Sequence, residues 1–250
     1  MQSVHPAIEK WAKEVAALTT PDQIVYCDGS AEEGERITRE CLATGELIEL
    51  NQKKLPGCYL HRSASHDVAR TEHLTFISTE HEEDSGPNNN WMSPPDARAK
   101  LTPLFKGAMK GRTMYVVPFL MGPPGSHFSK VGVEITDSRY VVLNMRIMTR
   151  VGKIALDHLD ASGDFTKCLH SLGDLSPDRR YIVHFPEENT VWSFDQVPLE
   201  TVLMTIKEKT SFSLECPEES LRKAKVTPAP NDLGQSVEAL ERLLDHIRSR

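Results

Sequence analysis

Arginine carries the most telling chemistry in this sequence. Arg70 closes the short run Asp67-Val-Ala-Arg70, and a guanidinium fork binds a carboxylate bidentately with a charge that survives any physiological pH. By spacing alone, the better reading is a surface arginine paired with Asp67 or Glu72. Lys110, Arg112, Arg146 and Arg150 are a second set of cations. Side-chain alternation along strands would divide them between two faces, which limits them to positioning roles. Gly122-Pro-Pro-Gly125-Ser126 has the glycines of an anion loop. No Gly-Lys-Ser/Thr follows it, however, and its two prolines remove backbone donors, so a structural turn is expected. Glu80-His-Glu-Glu-Asp84 offers oxygen ligands to a hard cation. Consecutive residues seldom converge on one ion without a shaped loop, so a solvated acidic loop is expected there. Cys27, Cys41, Cys58, Cys168 and Cys216 form no C-x-x-C pair and read as reduced thiols of a cytoplasmic protein, without a metal site.

These residues need elements to position them. Ile8, Trp11, Val15 and Leu18 recur at helical spacing with Pro21 just beyond, which predicts an amphipathic first helix. Residues 23–27 predict a short strand leading into the turn Asp28-Gly29-Ser30. Ser30 and Glu33 fit a capping box for a second helix running to about Thr44, where Gly45 would end it. Residues 47–50 and 57–61 predict paired strands, and 74–77 a further strand. Residues 79–90 read as a loop, and Pro94-Pro95 as the start of a helix to about Phe105. The runs 113–120, 130–136 and 140–148 are dense in Val, Ile, Tyr and Met and predict three strands. Residues 181–185 and 190–194 predict a hairpin around Pro186-Glu-Glu-Asn189. Beyond 195 the character changes: 226–235 reads as a linker, and Val237, Leu240, Leu244 and Ile247 share one face of a terminal helix over 236–250.

Composition sets outer bounds. A chain of 250 residues buries roughly 70–75% of its unfolded surface and needs no disulfide to form a core. A net charge of −7 argues against nonspecific nucleic-acid binding, because no excess of cations is present to displace phosphate counterions. Residues 1–10 lack the apolar core of a secretory signal, and the longest apolar stretch, 114–121, is too short to span a bilayer.

One ordered series of motifs is more specific. It reads Lys110-Gly-Arg-Thr-Met-Tyr-Val-Val-Pro-Phe119, Met121-Gly-Pro123, Val131-Gly-Val-Glu-Ile-Thr-Asp-Ser138 and Met145-Arg-Ile-Met-Thr-Arg-Val-Gly152. Around it, in order, lie Cys27-Asp-Gly-Ser30, Asp67-Val-Ala-Arg70, Gly86-Pro87, Asn89-Asn-Trp-Met92, Cys168-Leu-His-Ser171 and Tyr181-Ile-Val-His-Phe-Pro186. Together these resemble the amino-terminal domain of the GTP-dependent phosphoenolpyruvate carboxykinases, in wording closest to prokaryotic members. The resemblance runs from about residue 5 to Phe194 and corresponds to about the first third of a full family member.

The resemblance implies an α/β fold, a mixed twisted sheet with flanking helices. It also implies two segments, a carboxykinase-like domain over 1–194 and an unrelated tail over 195–250. The family's reaction converts oxaloacetate and GTP to phosphoenolpyruvate, CO2 and GDP in gluconeogenesis, with Mn2+ or Mg2+ holding enolate and phosphate together. In that family the arginine of Asp-Val-Ala-Arg grips a substrate carboxylate, which assigns Arg70 to substrate binding. The family's kinase loop, Ser-Ala-Cys-Gly-Lys-Thr-Asn, is missing from these 250 residues, and its metal-binding Lys, His and Asp belong to segments beyond the matched region. Asp195-Gln-Val-Pro-Leu199 stands where the family has a Gly-Tyr-Gly-Gly-Asn substrate loop, and the loop between Cys168 and Tyr181 is shortened. Leu120, Pro124, His127 and Arg139 replace the usual Ser, Leu, Pro and Pro.

The expectation is therefore a domain that binds a small dicarboxylate, oxaloacetate or phosphoenolpyruvate. On its own it would be inactive and bind neither GTP nor metal, and a carboxyl-terminal partner would supply what is missing. Neither nucleic acid nor membrane is expected as a partner. Two alternatives stand beside it: a non-catalytic binding or regulatory module, holding a dicarboxylate or a full-length relative, and a truncated gene product.

Overall fold

The computed structural model describes residues 4–62, 72–159, 163–173 and 179–194. Arg70, Cys216 and the expected tail over 195–250 lie outside them. The described residues fall into two compact units, 4–41 with 72–194, and 42–62.

In the first unit, helix α1 (Pro6–Thr19) buries Ile8, Trp11, Ala12 and Val15, an i, i+3, i+4, i+7 stripe. His5 accepts a hydrogen bond from the amide of Ala7 at its start, with Pro6 pre-set for the first turn. Helix α3 (Pro94–Phe105) opens in the same way: Ser93 accepts from the amide of Asp96, and two prolines fill the first turn. Its Pro103 faces outward and would orphan the carbonyl of Ala99, which is itself exposed to water.

The sheet follows the order β1 (Gln23–Tyr26), β6 (Thr113–Met121), β7 (Lys130–Thr136), β9 (Thr166–Ser171), β11 (Thr190–Phe194), β10 (Tyr181–Phe185), β4 (Thr75–Ile77), β5 (Asn90–Trp91). A short β8 (Arg150–Val151) also pairs with β6. Strands β7, β9 and β11 are mutually parallel, whereas β6 and β10 run antiparallel to their neighbours β7 and β11. This is the expected mixed α/β sheet. One face, carrying Met114, Val116, Val133, Ile135, Leu169, Val183, Phe185 and Phe194, forms the core with α1 and α3. Pro118 lies inside a central strand, where a missing donor would ordinarily break a ladder. It is tolerated because β1 pairing ends at Val116 and β8 pairing begins at Phe119, so Pro118 falls in the gap between them.

One expectation fails. Residues 140–148 form no strand; they belong to helix α4 (Arg139–Met148). Ser138 caps it by accepting from the amide of Val141, and Tyr140 and Asn144 are buried one turn apart. Tertiary packing outweighs the β preference of Tyr140, Val141 and Val142. Two further elements carried no clear pattern: the four-residue α5 (Lys153–Leu156), and β9, a central strand of mixed polar and apolar residues. The stretch expected as a loop over 79–90 holds a 3-10 turn at Glu82–Ser85 and the first residue of β5.

Helix α2 (Ala31–Thr44) ends as expected at Gly45, φ 77°. In the second unit, β2 (Ile48–Glu49) and β3 (Tyr59–Leu60) pair antiparallel, and the imidazole Nδ1 of His61 lies 2.7 Å from the Glu46 carbonyl oxygen.

Candidate functional site: the carboxyl edge of the parallel strands

In open α/β sheets, ligands gather outside the carboxyl ends of parallel strands. Strands β7, β9 and β11 end together here at Thr136, Ser171 and Phe194. Their antiparallel neighbours begin at the same edge, which brings Arg112 ahead of β6 and the buried Arg180 ahead of β10. Strand β4 enters here too, since Thr75 is in register with Ile182 near the start of β10. Arg70 itself lies outside the described residues; the described chain resumes at Glu72, three residues before β4.

The centre of this edge is Asp137, whose side chain is fully buried. Its carboxylate accepts from Ser171 Oγ at 3.0 Å and from the amide of Leu172 at 2.9 Å, and Arg112 Nε stands 3.0 Å away as a charge partner. Arg112 also donates to the carbonyls of Gly173, at 3.0 Å, and Ala108. Beside it, Thr136 Oγ1 and His170 Nδ1 are 2.8 Å apart, and the same hydroxyl accepts from the amide of Ser138. Three loop ends are thereby tied to one carboxylate and one hydroxyl. Asp137 and Arg112 are engaged with each other, so they form a frame and leave ligand-binding charge to other residues. Sequence patterns gave Asp137 and His170 no role, because Thr-Asp-Ser reads as a plain turn; both stood inside quoted family runs, 131–138 and 168–171.

Strand alternation does not govern the second set of cations: Lys110 and Arg112 precede β6, Arg146 lies on α4, and Arg150 alone is in a strand. Arg112 serves Asp137, while Arg150 donates to the Gly122 carbonyl at 3.0 Å. Arg146 is on a helix and bonds Glu33 and the carbonyls of Gly29 and Ser30. The capping box of α2 forms with a twist: Glu33 accepts from the amides of Asp28 and Gly29, while Ser30 Oγ accepts from the amide of Glu33. The Ser30 amide, donating to Asp28, holds that carboxyl below its ordinary range.

The Gly122–Gly125 turn offers no cradle for a phosphate. In the Gly122–Gly125 turn, Pro123 and Pro124 lack N–H groups. The amides of Gly125, Ser126, Phe128 and Ser129 are all spent on His158 Nε2, the Pro123 carbonyl, Ser126 Oγ and the Ser126 carbonyl. Among the described residues, no group of three or more His, Cys, Asp or Glu side chains could hold a metal ion. The acidic run 80–84 lies on an exposed turn, and no helix of the described residues is long and apolar enough to cross a membrane.

A mixed sheet of this order, with helices on its core face and a polar carboxyl edge, defines an α/β domain. The profile of the phosphoenolpyruvate carboxykinase N-terminal domain matches residues 10–197, and the chain belongs to that family. It is 56% identical over 183 residues to a phosphoenolpyruvate carboxykinase [GTP] of Anaeromyxobacter sp. (strain K), covering 73% of this chain and 31% of that protein. A protein of the same name from Neocallimastix frontalis is 50% identical over 204 residues, covering 76% and 33%. The one from Corynebacterium jeikeium is 47% identical over 195 residues, covering 74% and 32%. The chain thus spans about a third of the length of the curated relatives it matches.

Proposed function

We propose that this chain supplies the carboxylate-gripping edge of a phosphoenolpyruvate carboxykinase, with Arg70 as the cation for oxaloacetate or phosphoenolpyruvate, and that it performs no turnover alone. The observation that supports this reading is the family match over residues 10–197, a range that contains Asp67-Val-Ala-Arg70. A guanidinium meets a planar carboxylate with two parallel hydrogen bonds, which supplies orientation as well as charge. Phosphoryl transfer rests on positioning and on metal and cationic neutralisation of the moving charge. The 250 residues contain no Ser-Ala-Cys-Gly-Lys-Thr-Asn loop, and the loss of such electrostatic groups removes orders of magnitude in rate. A carboxyl-terminal partner carrying GTP and metal sites would complete the reaction, in the cytoplasm. The free thiols of Cys27, Cys41, Cys58 and Cys168 suit that compartment.

A coupled assay for GTP-dependent phosphoenolpyruvate formation tests the reading. The purified chain should give no turnover, and measurable turnover by the chain alone would contradict it. A second reading, a non-catalytic module for the same dicarboxylates, is favoured by the spent amides of the Gly122–Gly125 turn. It predicts binding that no partner converts into turnover.

A further inference from the structure

The loop that joins β6 to β7, residues 122–129, is closed largely on itself. The amides of Ser126, Phe128 and Ser129 donate to the Pro123 carbonyl, Ser126 Oγ and the Ser126 carbonyl, all within the loop. Apolar burial does not anchor it, because Pro123 and Pro124 are exposed and Phe128 is 80% exposed. Apart from the strands it joins, two hydrogen bonds tie it to the rest of the described residues. Arg150 holds the start through the Gly122 carbonyl, at 3.0 Å, and His158 Nε2 holds the tip through the Gly125 amide, at 2.8 Å.

The bond at the tip is sensitive to protonation. The Ile154 carbonyl, 2.8 Å from His158 Nδ1, can only accept, and the Gly125 amide can only donate. Both contacts together require a neutral imidazole with its hydrogen on Nδ1. A proton taken from solvent goes to Nε2, where it faces the Gly125 N–H, so an acceptor becomes a second donor. The carboxylates on the surrounding elements are already engaged. In α5, Asp157 is paired with Lys153 at 2.6 Å. Asp28, whose carbonyl meets the Lys153 amide, has its carboxylate on the Ser30 amide, and Glu9 of α1 is paired with Lys13. Burial holds the Glu134 carboxyl of β7 well above its ordinary range, with no charged partner. The remaining groups are Lys130 of β7, Arg150 of β8 and His127 of the loop itself, which add positive charge and no counter-ion.

We propose that His158 is a proton-operated latch. Neutral, it fastens the tip of loop 122–129 to α5; protonated, it releases the tip while Arg150 keeps the start of the loop in place. The latch lies at the Lys130 end of β7, opposite the carboxyl edge at Thr136. The inference therefore stands or falls independently of the substrate role given to Arg70.

The test is NMR of the full 250-residue chain at about pH 8 and about pH 5, the interval over which imidazoles change charge. At the higher pH the ring nitrogen shifts of His158 should show its hydrogen on Nδ1. A hydrogen on Nε2 instead would overturn the proposal, and this measurement needs no variant to fold. Backbone order parameters at Gly125 and Phe128 should fall from about 0.85 at the higher pH to below about 0.6 at the lower, while those of β6 and β7 hold. His158→Ala should leave the tip below about 0.6 at both pH values, and His127→Gln should behave as wild type. A wild-type tip equally ordered at both pH values, or a loss of order shared by β6 and β7, would overturn the latch. So would a tip that stays ordered in His158→Ala at the higher pH.

Discussion

Arg146 Nη1 lies 3.2 Å from the Glu33 carboxylate, across 113 residues of sequence, with the Glu33 side chain 7% and the Arg146 side chain 18% exposed. The pair joins α4 to the start of α2. Arg146 also donates to the Ser30 carbonyl at 2.5 Å, so one guanidinium and one carboxylate together fix the turn at Asp28-Gly29-Ser30. Gly34 makes room for it, since a Cβ there would lie 2.8 Å from Arg146 Nη2. Removing one member of a buried pair strands the other without compensation. Arg146→Met should therefore destabilise the chain by about 3 kcal/mol, read from the urea midpoint. An unchanged midpoint would show that the pair is solvated and idle.

The same turn meets Gly152. Its φ is 83°, and a Cβ there would stand 1.9 Å from the carbonyl oxygen of Asp28, whose backbone would have to move. Flexible side chains cannot relieve such a clash. Gly152→Ala should cost about 3 kcal/mol or more through strain and displacement together. Gly45→Ala is the comparison: its φ is similar at 77°, but nothing lies within 4 Å of the added methyl. Only the conformational cost of about 1 kcal/mol should appear there. Urea midpoints of the two variants separate the two costs.

Glu134 is in register with Val117 on one side and Cys168 on the other. Burial holds its carboxyl well above the ordinary value of 4.5, and the Cys168 thiol is pushed up as well, first by its own burial and then by Glu134. The folded chain therefore binds the proton more tightly than the unfolded chain. This contribution to stability is full below about pH 4.5 and is lost as pH rises through the folded value. Glu134→Gln should remove that decline, so the variant gains on wild type as pH rises. Thermal midpoints across pH 4 to 9 check it, and parallel curves for the two proteins would refute it.

Much of this architecture was legible in the sequence because local signals agreed with the fold. The Pro94-Pro95 start, the Gly45 stop and the Pro186-Glu-Glu-Asn189 turn each specify a backbone geometry that few residues adopt, and all appear where expected. The stretch 140–148 was misread because Val and Ile prefer strands on their own, whereas the Ser138 cap and the burial of Tyr140 and Asn144 act through neighbours distant in sequence. Strand β9 was hidden for a related reason. Its Lys167 and His170 break any apolar run, and the place of His170 makes sense only beside Thr136. The family motif pointed to Arg70, but the frame of Asp137, Arg112 and Ser171 at the carboxyl edge is a relation between loops that spacing cannot express.

The central proposal is that Arg70 grips a substrate carboxylate. Calorimetric titration of the chain with phosphoenolpyruvate tests it most directly. Wild type should give a saturable isotherm, and Arg70→Ala should weaken it about tenfold or more, as loss of a charged hydrogen-bond pair requires. Identical isotherms for wild type and Arg70→Ala, or no binding by either, would contradict it.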